Sequence, residues 1–161
     1  MVREITNLRL IPVLLLLVIA FSAPACGQAN NSTAWFYKGM ILYDENKFNE
    51  SIQAYNKAIQ LNPLNEDAWN GKGMALGTLE RYEEALQAFN RATQINSSCA
   101  EAWYNMGVIF DLQGKYFLGI QAYNEATRIN PNYQKAWMAK NNDINIVGME
   151  NYRKLNRQGN A

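Results

Sequence analysis

From Ser32 onward, apolar positions recur at helical spacing and are separated by polar faces. In Ala100–Tyr116 (AEAWYNMGVIFDLQGKY), Trp103, Gly107 and Phe110 fall on one face of a helix, since residues three and four apart are neighbours there. In the stretch that follows, Ile120, Tyr123, Ala126 and Thr127 do the same. The pattern predicts a pair of amphipathic helices with a tight turn between them. The same line stands 34 residues earlier as EDAWNGKGMALGTLERY, Glu66–Tyr82.

The period of 34 holds in several independent columns. Trp35, Trp69, Trp103 and Trp137 open them, followed by Gly39, Gly73 and Gly107, then Leu42, Leu76 and Phe110. Phe48, Tyr82 and Tyr116 come next, then Tyr55, Phe89 and Tyr123, then Ala58, Ala92 and Ala126. Glycine inside a helix costs about 1 kcal/mol relative to alanine, so its recurrence predicts a close approach of two helices, with the alanine column serving the partner helix. The turn needs a left-handed residue, which Asn46 and Gly114 accept easily and Glu80 less so. Pro63 and Pro131 end a repeat, and Ser97 stands in the same place.

These columns resemble the tetratricopeptide repeat (TPR) family over about Ser32–Tyr133 as three whole repeats, with a fourth first-helix from Gln134. Ser51 and Gly119 depart from the small alanine that Ala85 keeps. The resemblance implies an all-α, right-handed α-solenoid of helix-turn-helix repeats closed by a C-terminal capping helix. One helix pair cannot bury its own apolar face, and each copy supplies the missing wall of the next. The expected organisation is 1–25 signal peptide or membrane anchor, 26–31 polar linker, repeats at 32–65, 66–99 and 100–133, a capping helix at 134–149 and a polar tail at 150–161. The cap should cover the third repeat with Trp137 and Ile144.

In the family, first helices line a concave groove that takes peptides or partner helices. Carried onto this chain, the lining is Phe36, Met40, Tyr43 and Asp44, then Asn70, Met74, Gly77 and Thr78, then Tyr104, Val108, Asp111 and Leu112. Thr33, Asp67 and Glu101 join at the edge. Aromatic and thioether surface suits apolar anchors, and the acids come with no Lys or Arg among them. The expected partner is a protein or peptide with apolar and basic residues. The carboxylate clamp of chaperone-binding relatives is missing, since its places hold Phe36, Met40, Gly71, Glu101 and Asn105.

The front of the chain differs. Arg3 and Arg9 flank the apolar run Leu10–Phe21, which Ser22-Ala23-Pro24-Ala25 ends. This is the layout of a secretory signal, with an uncleaved membrane anchor as the alternative. Either reading places the rest outside the cell or on the outer face of the membrane. Cleavage after Ala25 would leave Cys26 at the N-terminus, as in a lipid-modified lipoprotein; cleavage after Gly27 would discard it; a disulfide with Cys99 is a third fate. Asn30, Asn31, Asn49 and Asn96 fit the glycosylation acceptor pattern.

Composition narrows the function. The formal net charge is +1 and there is no histidine. Near-neutral charge argues against nucleic acid, and missing histidine lowers the expectation of catalysis or metal binding. Glu83-Glu84 are explained by the start of a second helix, where acids favour the helix dipole. The expectation is a non-enzymatic interaction scaffold without cofactor or metal. A self-associating structural protein of the cell envelope, stacking end to end, is the alternative.

Overall fold

The structure, a computed structural model, describes residues 25–149, 151 and 153. The basic and apolar stretch 1–24 and most of the tail lie outside the described residues, as do the side chains of Cys26 and Asn30. Among the described residues the helices are α1 (Ala25–Asp44), α2 (Phe48–Leu61), α3 (Glu66–Thr78), α4 (Tyr82–Ile95), α5 (Ala100–Leu112), α6 (Tyr116–Ile129) and α7 (Gln134–Val147). Each packs on the next in the chain, and the first helices α1, α3 and α5 also touch in sequence, forming one side of the stack.

The turns inside the three repeats close in the same way. Asn46, Glu80 and Gly114 all take the left-handed conformation, at φ 59°, 59° and 70°. The next amide reaches back across the helix end: Lys47 to Leu42, Arg81 to Leu76 and Lys115 to Phe110, at 2.8–2.9 Å. This satisfies carbonyls that a helix end leaves open. Glu80 adopts the conformation its side chain disfavours, and the Arg81 amide closes the turn on Leu76 as in the other repeats.

The repeat ends share a device that the proline column only half reveals. Asn62, Asn96 and Asn130 each accept, through Oδ1, the amide two residues on, at 3.0–3.1 Å. This side-chain turn sets the bend with or without proline, so Ser97 fits between Asn96 and Ser98. Asn65 then caps α3 by accepting the Ala68 amide at 3.0 Å.

Three features differ from the sequence expectation. The stretch 26–31, read as a linker, is helical and continuous with the first repeat helix. Ser32 anchors that helix: it is buried and its hydroxyl donates to the Ala58 carbonyl at 2.9 Å. The recurring glycines admit an aromatic ring rather than a second backbone. A Cβ at Gly39 would lie 2.6 Å from the Tyr55 ring, one at Gly73 would lie 2.5 Å from Phe89, and one at Gly107 would collide with Tyr123. Close helix approach falls instead to alanines, Ala58 beside Ala68 and Ala126 beside Ala136, all fully buried.

The capping helix is the third difference. Its buried residues are Ala136 and Asp143, while Trp137 stays 41% exposed with Lys140 lying 4.1 Å over its ring. Trp137 keeps the repeat's register but lies at the edge of the contact, and its indole donates to the Pro131 carbonyl at 2.9 Å. The main core lies under the second and third repeats, built on Leu76, Phe89, Met106 and Ile109. Each large apolar side chain fully buried there contributes roughly 1.5–3 kcal/mol.

Candidate functional site

The first helices present their groove residues as two adjoining cavities. One, of about 270 Å³, is walled by Phe36, Met40 and Tyr43 from α1 and by Asn70 and Met74 from α3. The other, of about 210 Å³, runs on through Gly77, Thr78, Val108 and Leu112. Tyr43 and Met74 belong to both, so the two form one groove along the first-helix side.

The glycine windows shape its floor. The Tyr55 ring comes through from α2 between Gly39 and Gly71, whose Cβ would lie 2.5 Å from the ring. Tyr55 stacks obliquely against Phe36, ring centroids 6.0 Å apart. Burial pushes its hydroxyl pKa up to about 12, so it stays a neutral donor. The Phe89 ring, set against Gly73, lines the second cavity. Tyr55, Phe89 and Ile109 line the groove although the family positions omit them, and Asn105, named only as a clamp position, joins them. The signal was present in the pairing of the glycine and ring columns, since a missing side chain on one helix exposes the ring behind it.

Polar groups fix the groove walls. Asn70 is only 7% exposed and accepts from the Asn105 amide at 3.1 Å. The Tyr43 hydroxyl lies 3.2 Å from Thr78 Oγ1. These bonds tie α3 to its neighbours α5 and α1 and preorganise the surface. Met40 is 42% exposed and Met74 half-buried, which leaves adaptable thioether surface facing the opening.

Asp44, Asp67 and Glu101 rim the first cavity, and no Lys or Arg lines it. The salt bridges among the described residues join Lys47–Glu45, Arg81–Glu84 and Arg128–Glu125, so none neutralises the rim. Burial, then the neighbouring Glu66 charge, holds the Asp67 carboxyl above its usual range. A concave, partly apolar site ringed by like charges focuses a negative potential.

Of the residues expected at the groove, Tyr104, Asp111 and the edge residue Thr33 do not line these cavities. Tyr104 packs on Tyr123 and Tyr133, at 5.7 and 5.2 Å between centroids. Asp111 turns inward and accepts the Tyr123 hydroxyl at 2.5 Å. Of the acceptor asparagines, Asn31 and Asn49 are exposed, whereas the Asn96 amide nitrogen donates to Glu66 at 3.2 Å. Cys99 carries a free, half-buried thiol whose pKa burial raises. Among the described residues no cluster of three His, Cys, Asp or Glu is placed to hold a metal ion, and no helix is long and apolar enough to cross a membrane.

The family pattern described as tetratricopeptide repeat matches residues 23–66, 36–98 and 71–133. No curated protein matches the chain. Among solved structures the chain is similar to the TPR domain of Arabidopsis OM64, with a TM-score of 0.72 and 20% identity, covering 74% of this chain and 99% of that one. It is also similar to the first TPR of Spaghetti (RPAP3), solved bound to the HSP90 peptide SRMEEVD, with a TM-score of 0.71 and 19% identity over 74% and 94% of the two chains. YrrB, a TPR protein with an unusual peptide-binding site, gives a TM-score of 0.65 and 24% identity over 69% of this chain and 57% of that one. These are likenesses of fold. With its stacked helices in that arrangement, the chain belongs to the tetratricopeptide repeat family, whose modules mediate peptide and protein binding and are typically non-catalytic scaffolds.

Proposed function

We propose that this chain is a non-enzymatic scaffold whose concave groove binds a peptide or partner segment with apolar anchors beside basic residues. The observation that carries the reading is the pairing of an aromatic and methionine surface with the unneutralised carboxylates of Asp44, Asp67 and Glu101. Magnitudes divide the labour. Burying one Leu, Phe or Met anchor supplies roughly 1.5–3 kcal/mol. An exposed ion pair supplies roughly 0–1 kcal/mol. The apolar floor therefore sets affinity, and the acidic rim selects the sign of the partner and speeds encounter.

The same rim argues against an acidic ligand. SRMEEVD, the peptide bound by Spaghetti, carries three acidic side chains. Here Phe36, Met40, Gly71, Glu101 and Asn105 supply no cation to meet them. Selection from an unbiased peptide library tests this. Enrichment of sequences pairing Lys or Arg with Leu, Phe or Met supports the groove reading, and enrichment of acidic sequences overturns it.

We propose also that the module works outside the cell or on the outer membrane face, delivered by its N-terminal segment. Arg3, Arg9 and the Leu10–Phe21 run support this. The intact mass of the chain from its native host tests it. A chain beginning near Cys26, with or without lipid, or a membrane-bound chain beginning at Met1, fits the proposal. A full-length chain in the cytoplasm contradicts it.

A further inference from the structure

The junction between the third repeat and α7 is built differently from the one before it. At the joint between the second and third repeats, a Cβ at Gly77 would lie 2.8 Å from Ile109 Cδ1, and the ring behind is Phe89, which has no hydroxyl. One period later the same places hold Asp111, Asp143 and Tyr123. An apolar contact has become a pair of acids with a phenol.

The acids are enclosed. Asp143, on α7, is 0% exposed, and neither of its carboxylate oxygens has a hydrogen-bond partner. Asp111 Oδ1, from α5, is likewise buried without one, while its Oδ2 accepts from Tyr123. Both acids converge on Gly119 of α6: a Cβ there would collide with Asp111 Oδ1 and lie 2.8 Å from Asp143 Oδ2. The third repeat therefore carries glycine where the others carry Ser51 and Ala85; the carboxyls occupy that space.

Two ionised carboxylates cannot share such a place without a compensating charge. From α5 the titratable group at hand is Asp111; from α6 it is the Tyr123 hydroxyl, already donating to Asp111. On α7 itself only the neutral Asn142 amide acts on Asp143. Among the described residues no Lys or Arg forms a salt bridge with either acid. A proton placed between the carboxyls supplies the missing donor.

We propose that Asp111 and Asp143 share one proton, and that this proton is a pH-dependent latch holding α7 on the third repeat. Burial, then the Asp111 carboxyl beside it, push the Asp143 pKa up to about 7. A raised carboxyl pKa means that the folded junction binds a proton the open chain has released. Its stabilisation is full below the ordinary carboxyl range and is lost as pH rises through about 7. The array is closed in mildly acidic surroundings, and α7 is loosened above neutrality.

Hydrogen exchange of the full chain, read on the α7 segment and corrected for intrinsic rates, tests the latch. Opening of α7 should rise by up to about tenfold per pH unit between pH ~5 and ~7, with no such rise in α1–α3. Asp143→Asn, which keeps the shape and donates to Asp111, should flatten the profile. Because a single change can disrupt packing, the triple variant Asp111→Gly, Tyr123→Phe, Asp143→Ile copies the Gly77–Phe89–Ile109 joint and should also be flat. A carboxyl carbon titration should place Asp143 near 7. An α7 profile that does not respond to pH in the natural chain, a slope retained in the triple variant, or an ordinary Asp143 titration would each overturn the proposal.

Discussion

The Tyr55 ring stands in the space that a side chain at Gly39 would need, with a Cβ there falling 2.6 Å from ring carbon Cε1. This relationship joins fold and groove, because the ring that fills the core of the first repeat is also the floor of the candidate site. Gly39→Ala should destabilise the protein. Overpacking costs about 1–3 kcal/mol, and the gain in helix propensity returns about 1 kcal/mol, so a net loss of up to about 2 kcal/mol is expected. Urea unfolding measures it through a lower midpoint with an unchanged slope.

Glu80 gives a prediction of opposite sign. It holds φ 59° in the turn where the neighbouring repeats place Asn46 and Gly114. A left-handed residue with a full side chain costs about 1–2 kcal/mol, and asparagine tolerates the conformation. Glu80→Asn should stabilise by about 1 kcal/mol, seen as a rise in thermal midpoint.

The indole of Trp69 donates to the Pro63 carbonyl at 3.0 Å, and that of Trp137 to Pro131 at 2.9 Å. Trp103 Nε1, facing the repeat that has Ser97 instead, is buried with no partner. Asn96 already holds the extended backbone that precedes proline, at φ −131° and ψ 95°, close to Asn62 and Asn130. Ser97→Pro should therefore stabilise by about 0.4–1 kcal/mol through the unfolded chain. Thermal unfolding checks this, and a loss of stability would contradict it.

The acidic rim predicts a charge effect on binding with little on folding. Asp44, Asp67 and Glu101 are exposed and take part in no salt bridge among the described residues. Replacing all three with Lys should leave helix content unchanged. Affinity for a basic, apolar peptide should fall by at least about tenfold, and the remaining affinity should lose its weakening by salt. Titration calorimetry at two ionic strengths reads both effects.

Much of the fold was legible because the repeat multiplies each signal. One glycine in a helix says little; Gly39, Gly73 and Gly107 at one period say that something large approaches there. What approaches could not be read from the glycines, because periodicity gives register and not direction, and the visitor proved to be a ring. The groove was legible at Phe36, Met40 and Met74, whose place follows from the repeat. It failed at Asp111, where the expected direction yields to a local partner, Tyr123, and to α7 above it. Repeat logic weakens at α7, because the position that holds Ile109 one period earlier holds Asp143 there. The Asn62, Asn96 and Asn130 column could have been seen in the sequence, but its role shows only in the hydrogen bonds.

The central claim is that the concave groove takes a basic, apolar segment, and the methionines offer a direct reading. Of the six in the chain, Met40 and Met74 line the groove, Met106 lies in the core, and Met138 and Met149 are exposed outside both groove cavities. Methyl NMR of the methionine-labelled protein, titrated with a short peptide of alternating Leu and Lys, would locate binding in one experiment. The account predicts saturable shifts at Met40 and Met74, quiet signals from Met138 and Met149, and no response to SRMEEVD. Shifts confined to Met106, Met138 or Met149, or a stronger response of Met40 and Met74 to the acidic peptide, would contradict it.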